Sequence, residues 1–159
     1  MIGPVPEAAP GPDSAARARQ AAAAVKLRVA KIFAADGWLQ TALKLEHRPG
    51  QERMARAVGV ALGGDEPLLV EAGTGIGKSL AYLLPGLLLA QETKRPLVVS
   101  THTIALQEQI FKKDLALCRT LFRAVPDLKS FADFSATLLV GRANYLCPQR
   151  LARALQTRA

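Results

Sequence analysis

Glycines at positions 73, 75 and 77, followed by Lys78 and Ser79, give the stretch EAGTGIGKS a spacing suited to one kind of chemistry. Glycine lets backbone N–H groups approach an anion without a side chain in the way. A lysine adds a compact positive charge, and a serine hydroxyl can hold a divalent cation. The run ends in the G-K-S of a phosphate-binding P-loop, with Ala72 standing where the strict pattern has its first glycine. In this reading Ala72, Gly73, Thr74, Gly75, Ile76 and Gly77 wrap a nucleotide's phosphates. Lys78 neutralises the β and γ oxygens of ATP, and Ser79 holds Mg2+. The bland alternative is a glycine-rich turn carrying a solvated lysine.

Such a loop works only between a strand and a helix, so the flanking segments carry weight. EPLLVEAG (66–73) is a short apolar run closed by glycine, the pattern of a strand buried on both faces, and KSLAYLLPGLLLAQE (78–92) is long enough for a helix. Pro85 inside it removes one hydrogen bond and is expected to kink or end the helix, with a packing adjustment as its favoured role. RPLVVSTHT (95–103) repeats the strand pattern before a helix over 103–122, and SATLLVGRANYLC (135–147) begins a third unit. Three strand-then-helix units predict an α/β fold with a parallel sheet flanked by helices. VPDLKSFADF (125–134) reads as an irregular connector.

Upstream, four prolines at 4, 6, 10 and 12 predict a disordered leader over 1–13. A helical segment follows over 14–45, with a long helix to about Ala35 whose apolar side carries Val25, Leu27, Val29, Ile32 and Phe33. A turn at HRPG then opens a helix over 51–64, with Met54, Val58 and Leu62 at i+4 steps and Gly63 and Gly64 closing it.

Composition narrows the partners. A formal charge of +8 favours polyanions, while aromatic content of 5% does not support a surface stacking bases on several rings, so a nucleic acid would be held mainly through its phosphates. The longest apolar stretch, LAYLLPGLLLA, is about half the roughly 20 residues a spanning helix needs, so no membrane span is expected. Two cysteines without a CxxC pair make neither a disulfide framework nor a metal site, and a reducing cytoplasm is the default. Cys118 shares an apolar stripe with Phe111, Leu115 and Phe122 and reads as a small buried hydrophobe.

Four segments in order give a resemblance. HRPGQERM resembles the Q motif of superfamily 2 helicases, EAGTGIGKS their motif I, and VVSTHTIALQEQI their motif Ia. LLVGRANYLCPQRL resembles the segment with the first iron–sulfur cysteine in the DinG and XPD family. The likeness runs from about residue 46 to 152. It implies a RecA-like P-loop NTPase fold, incomplete here and preceded by the amino-terminal helix, and an ATP-dependent helicase moving 5′ to 3′ on single-stranded DNA. The stretch 46–159 would be part of the ATP-binding domain, ending at the start of an iron–sulfur segment.

By the same resemblance Arg48 and Gln51 face the adenine, with a solvated helical turn an equal reading for Arg48. Glu71 ends the first strand beside the loop. Thr101, His102 and Thr103 touch the DNA backbone, although a local turn hydrogen bond is favoured for His102. Arg142 and Asn144 brace the cluster segment, unless GRAN is a strand end before a helix cap. Cys147 would be one of four thiolates around a [4Fe–4S] cluster, a set that two cysteines leave incomplete. After Lys78 the acidic residues are Glu92, Glu108, Asp114, Asp127 and Asp133, and none follows an apolar strand as a DEAH-type box would. The expectation is an amino-terminal piece of such a helicase, a monomer that binds ATP phosphates without the hydrolytic acidic motif or the second motor domain. The rival reading is a nucleotide or nucleic-acid binding module without turnover.

Overall fold

The computed structural model describes residues 12–156, so most of the leader expected over 1–13 lies outside the described residues. Helix α1 spans Pro12–Phe33, which takes in the last two residues of the leader expected over 1–13. Helices α2 (Trp38–Leu43), α3 (Pro49–Gly64) and α4 (Lys78–Thr93) follow. Next come α5 (Ile104–Gln109), a π-helical turn (Ile110–Asp114), α6 (Leu115–Ala124) and a 3-10 turn (Pro126–Phe131). A second 3-10 turn (Arg142–Asn144) leads to α7 (Pro148–Gln156). No described helix is long and apolar enough to cross a membrane.

Helix α1 packs along both α3 and α4, which pack on each other, and α6 with the first 3-10 turn closes the far side of α4. Small residues set the spacing at α1 and α3. A Cβ on Gly63 would come within 2.7 Å of the Ala22 Cβ, and one on Gly59 would meet Val29 and Pro85 at 3.7 and 3.9 Å. The α3 face turned inward is therefore Gln51, Ala55 and Gly59, while Leu62 of the expected stripe is 41% exposed. Leu27 of α1 likewise points outward, because Val25, Val29 and Ile32 already complete the buried side. Val25, Ile32, Leu84, Leu88, Phe122 and Leu128 form the centre of the core. Each such side chain contributes about 1.5–3 kcal/mol by leaving water.

Pro85 neither ends nor interrupts α4: it is fully buried mid-helix, as the packing role anticipated. The expected helix over 103–122 forms, but its π turn holds one residue more per turn than an α-helix and shifts the register. Ile110 is buried and Phe111 is left 37% exposed, whereas Leu115, Cys118 and Phe122 keep their inward places. The expected irregular connector is partly a 3-10 turn that buries Leu128 and Phe131, with Phe122 in ring contact with Phe131 and Phe134.

The parallel sheet is not formed among the described residues. The three apolar runs take neither helical nor ladder-paired structure. A strand apolar on both faces needs cover on both and a neighbour at about 4.8 Å. Here the helices cover one side only. Leu97 sits so close to α4 that a Cβ on Gly86 would come within 2.8 Å of it, and along 133–140 exposed and half-buried residues alternate as on a strand with one covered face. The other side is bare: Leu69, Val98 and Leu139 are 98%, 84% and 74% exposed.

Candidate nucleotide-binding site

Residues 71–77 make the turn into α4, and two glycines give it its shape. Gly75 and Gly77 have φ of 81° and 86°, the left-handed region that side chains resist. Gly77 is also the N-cap of α4, and no side chain caps that end. The first N–H groups of a 16-residue helix thus face the loop without a side-chain acceptor, which is the condition for holding an anion there.

Lys78 is positioned by the loop it serves. Its Nζ donates to the carbonyls of Ala72 at 2.9 Å and Gly73 at 2.7 Å, placing the ammonium inside the turn. Ser79 lies on the first turn of α4, half-buried. Thr74 is exposed at the rim, Ile76 is half-buried, and Glu71 is exposed where the loop begins. An uncapped helix start, an ammonium and a hydroxyl fit a polyphosphate and a divalent cation.

Helix α3 holds the loop from outside. Gln51 is 7% exposed, and its Nε2 donates to the Gly77 carbonyl at 2.9 Å. Arg48, at the N-cap of α3, donates through Nη1 to the Gly75 carbonyl. The two residues expected at an adenine are thus both tied to the loop backbone. A Cβ on Gly77 would fall 2.1 Å from the Gln51 amide nitrogen, a second reason for glycine there. Just beyond, Glu52 accepts from Arg56 and pairs with His47 at 2.8 Å, and these two partners hold its carboxyl below the usual range.

Tyr82, one turn after Ser79, did not stand out in the sequence. It is half-buried, and that burial, with a smaller effect of the Asp114 charge, raises its phenol above the ordinary value against an opposing, lowering effect of the Ser79 side chain. Its signal was the i, i+3 spacing from Ser79, which places both on one side of α4.

The other expected residues lie apart from the loop. Thr103 is the N-cap of α5, its hydroxyl accepting from the Leu106 N–H at 3.2 Å, and the Thr101 hydroxyl donates to the Thr103 carbonyl at 3.3 Å. His102 is exposed between them. Among the described residues no hydrogen bond joins these three to residues 71–79. Arg142 and Asn144 lie in the second 3-10 turn, where Asn144 Nδ2 donates to the Gly141 carbonyl at 3.3 Å.

The cysteines do not fit a four-iron cluster. Cys147 is exposed before α7, while Cys118 is buried in the core with its thiol pushed up to about 12, chiefly by that burial. A [4Fe–4S] cluster needs four ionised thiolates, and no metal-binding group of three or more ligands exists among the described residues.

The pattern of the DEAD/DEAH box helicase family matches residues 48–139, from Arg48 through the loop and the Thr101–Thr103 turn. Among curated proteins the chain is similar to the ATP-dependent DNA helicase DinG of Salmonella typhimurium, 46% identical over 107 residues. That match covers 66% of this chain and 14% of the relative. The protein of the same name from Escherichia coli is 43% identical over 112 residues, 69% of this chain and 14% of the relative. The ATP-dependent helicase DinG of Mycobacterium tuberculosis is 49% identical over 105 residues, 65% of this chain and 15% of the relative. The chain therefore matches about one seventh of the length of these relatives. No solved structure matches it.

Proposed function

Since the chain belongs to the DEAD/DEAH box helicase family, a P-loop NTPase fold, we propose that it forms the first part of the motor of an ATP-dependent DNA helicase of the DinG type. The observation that carries this reading is the loop before α4, with Lys78 fixed inside it and Gln51 and Arg48 bracing it from α3. In it, residues 72–77 and the start of α4 surround the phosphates of ATP. Lys78 sets its charge on the outer phosphates and Ser79 offers its hydroxyl to magnesium. Arg48 and Gln51, already at the loop, border the adenine.

The stretch 46–159 is a partial ATP-binding domain behind an amino-terminal helical segment, and the runs at 66–73, 95–103 and 135–141 are the strands of its parallel sheet. Thr101, His102 and Thr103 contact the phosphates of single-stranded DNA, with short hydroxyls and backbone N–H groups suited to that backbone. The +8 charge supports such a partner. Translocation from 5′ to 3′, a monomeric state and a cytoplasmic place in DNA repair complete the reading; Cys147 stands where the family's iron–sulfur cluster takes its first thiolate, but the two cysteines of this chain do not assemble that cluster.

A second reading is a nucleotide or nucleic-acid binding module without turnover, since the uncapped start of α4 and the Lys78 ammonium serve binding on their own. ATP hydrolysis measured with and without single-stranded DNA separates them. DNA-stimulated turnover that disappears in Lys78→Ala establishes the motor reading and sinks the module. ATP binding with no turnover in either condition leaves the module for this chain, and no ATP binding at all overturns both.

A further inference from the structure

Two of the extended apolar runs border one cavity. Residues 95–101 and 133–139 line a space of about 920 Å3 whose floor is apolar, with Leu83 and Leu87 of α4, Ile110 and Leu115 all buried beneath it. The runs are parallel and tied at both ends. Near their starts Gln91, in the last turn of α4, donates through Nε2 to the Phe131 carbonyl at 2.6 Å, and near their ends Gln107 of α5 donates to the Leu139 carbonyl at 3.5 Å. Between these ties nothing joins them: among the described residues the backbone of 96–100 and 135–138 makes no hydrogen bond. Runs that were direct neighbours would lie about 4.8 Å apart and close a ladder. Here each borders the cavity with an unpaired backbone, and an unpaired strand edge is a template for another strand.

We propose that this cavity is a slot for one extended peptide strand of about six residues, apolar at alternate positions and acidic at its amino-terminal flank, which residues 12–156 do not supply. The third apolar run, 66–73, does not line the cavity. Volume sets the length. A strand residue fills roughly 160 Å3, from a rise of ~3.3 Å, a strand spacing of ~4.8 Å and a layer spacing of ~10 Å, so 920 Å3 holds about six. The unpaired backbone sets the conformation, because an extended strand meets both rows of N–H and C=O groups at once. The floor sets the pattern: every second side chain points down onto Leu83 and Leu87, and the rest face outward with Val98 and Leu139, which are 84% and 74% exposed. Charge sets the flank and the direction. Lys94 and Arg95 stand with Asp133 where both runs begin, an excess of cations at the end that a parallel strand enters. No residue of 71–79 lines the cavity, so the inference stands apart from the phosphate-loop reading.

The test is fluorescence anisotropy of a labelled Glu-Glu-Val-Thr-Val-Thr-Val-Thr peptide titrated with the full chain in the absence of nucleotide. Saturable binding is expected, with the chain monomeric by size-exclusion chromatography. Methylating the amide nitrogens of the three valines removes the donors to one edge and no side chain, and weakens binding by about tenfold or more. Replacing the two glutamates by lysines weakens it severalfold at low salt. Ala136→Arg, which puts a long cation into the slot, abolishes binding, and the methylated peptide decides the matter if that variant does not fold. No binding of the unmodified peptide, or equal binding of the methylated one, overturns the inference. A chain that dimerises and loses peptide binding as it does so overturns it in favour of a second copy in the slot. Equal affinity for the lysine-flanked peptide overturns the acidic flank. Each of these outcomes leaves ATP binding at the loop unchanged, so failure of the slot is told apart from failure of the phosphate-loop reading.

Discussion

Two turns in this chain run into helices, and they are held in different ways. The loop before α4 receives hydrogen bonds from Arg48 and Gln51, which are 27 and 26 residues away from their acceptors. The turn before α5 is held by bonds from Thr101 to Thr103 and from Leu106 to Thr103, two and three residues apart. The first shape is imposed by helix packing, because α3 is locked to α1 and α4 through Gly59, Gly63 and Ala55. The second is a local cap at the end of a run anchored by Leu97, with Val98 exposed beside it. The loop before α4 is therefore preorganised by the helical layer, while the Thr101–Thr103 turn takes its position from a run that has no ladder among the described residues.

Lys78→Ala strikes the preorganised turn hardest. It removes the one ammonium inside the loop, whose bonds to a phosphate are charge-assisted and worth about 1.5–3 kcal/mol. ATP affinity, read by titration with a fluorescent analogue, falls roughly 10- to 100-fold. The thermal midpoint stays near that of the wild type, because the loop glycines and the core are untouched. A loss of folding in place of binding would contradict the separation of loop and core drawn here.

Gln51→Ala probes the brace rather than the contents of the loop. It removes the amide from the Gly77 carbonyl and opens a gap under the N-cap of α4. The carbonyl keeps the Ala81 N–H at 3.3 Å, so the stability loss is about 1 kcal/mol, measured by urea unfolding. ATP affinity falls up to about tenfold as the loop loosens. If Gln51→Ala leaves affinity intact, the loop is shaped by its glycines alone and the contrast between the two turns dissolves.

This brace marks where the sequence stopped being readable. The loop, its lysine and serine and the helix after it followed from residue types, since their chemistry is local. The long helices were legible for the same reason, from apolar spacing and glycine ends. Leu62 was misplaced because a helix can bury small residues in preference to large ones where two backbones come close, as at Gly59 and Gly63, and Leu27 because Val25, Val29 and Ile32 already fill the buried side of α1. The π turn at Ile110–Asp114 leaves no mark in composition, so Phe111 was counted with the core. Gln51 was recognised by resemblance, yet its burial against Gly77 depends on how α3 meets α4, which no spacing within α3 reveals. The sheet was read from apolar runs, and apolar runs specify burial, not a hydrogen-bonded neighbour.

Thr103→Ala tests the other turn. Loss of the cap costs about 1 kcal/mol of stability, within the usual range for such residues. Nucleotide affinity stays unchanged in the titration, because no bond links this turn to the loop among the described residues. A matching fall in ATP affinity would show that the turns share one frame after all.

The smallest effect belongs to Glu52, one residue past the brace. His47 and Arg56 lower its pKa below the ordinary 4.5, so the folded chain binds fewer protons there than the unfolded chain. The resulting stability is fully present above 4.5 and is lost as pH falls through the lowered folded value. Glu52→Gln removes this dependence. Its urea midpoint lies slightly below that of the wild type at about pH 6, and the two converge as pH falls below the lowered folded value, where the wild-type carboxylate is protonated too. Arg56 is about half exposed, so the difference at neutral pH stays within the small range of surface pairs. If instead the gap widens on acidification, Glu52 is stabilised in its protonated form, and the segment from His47 to Arg56 does not anchor the start of α3 in the way the nucleotide turn requires.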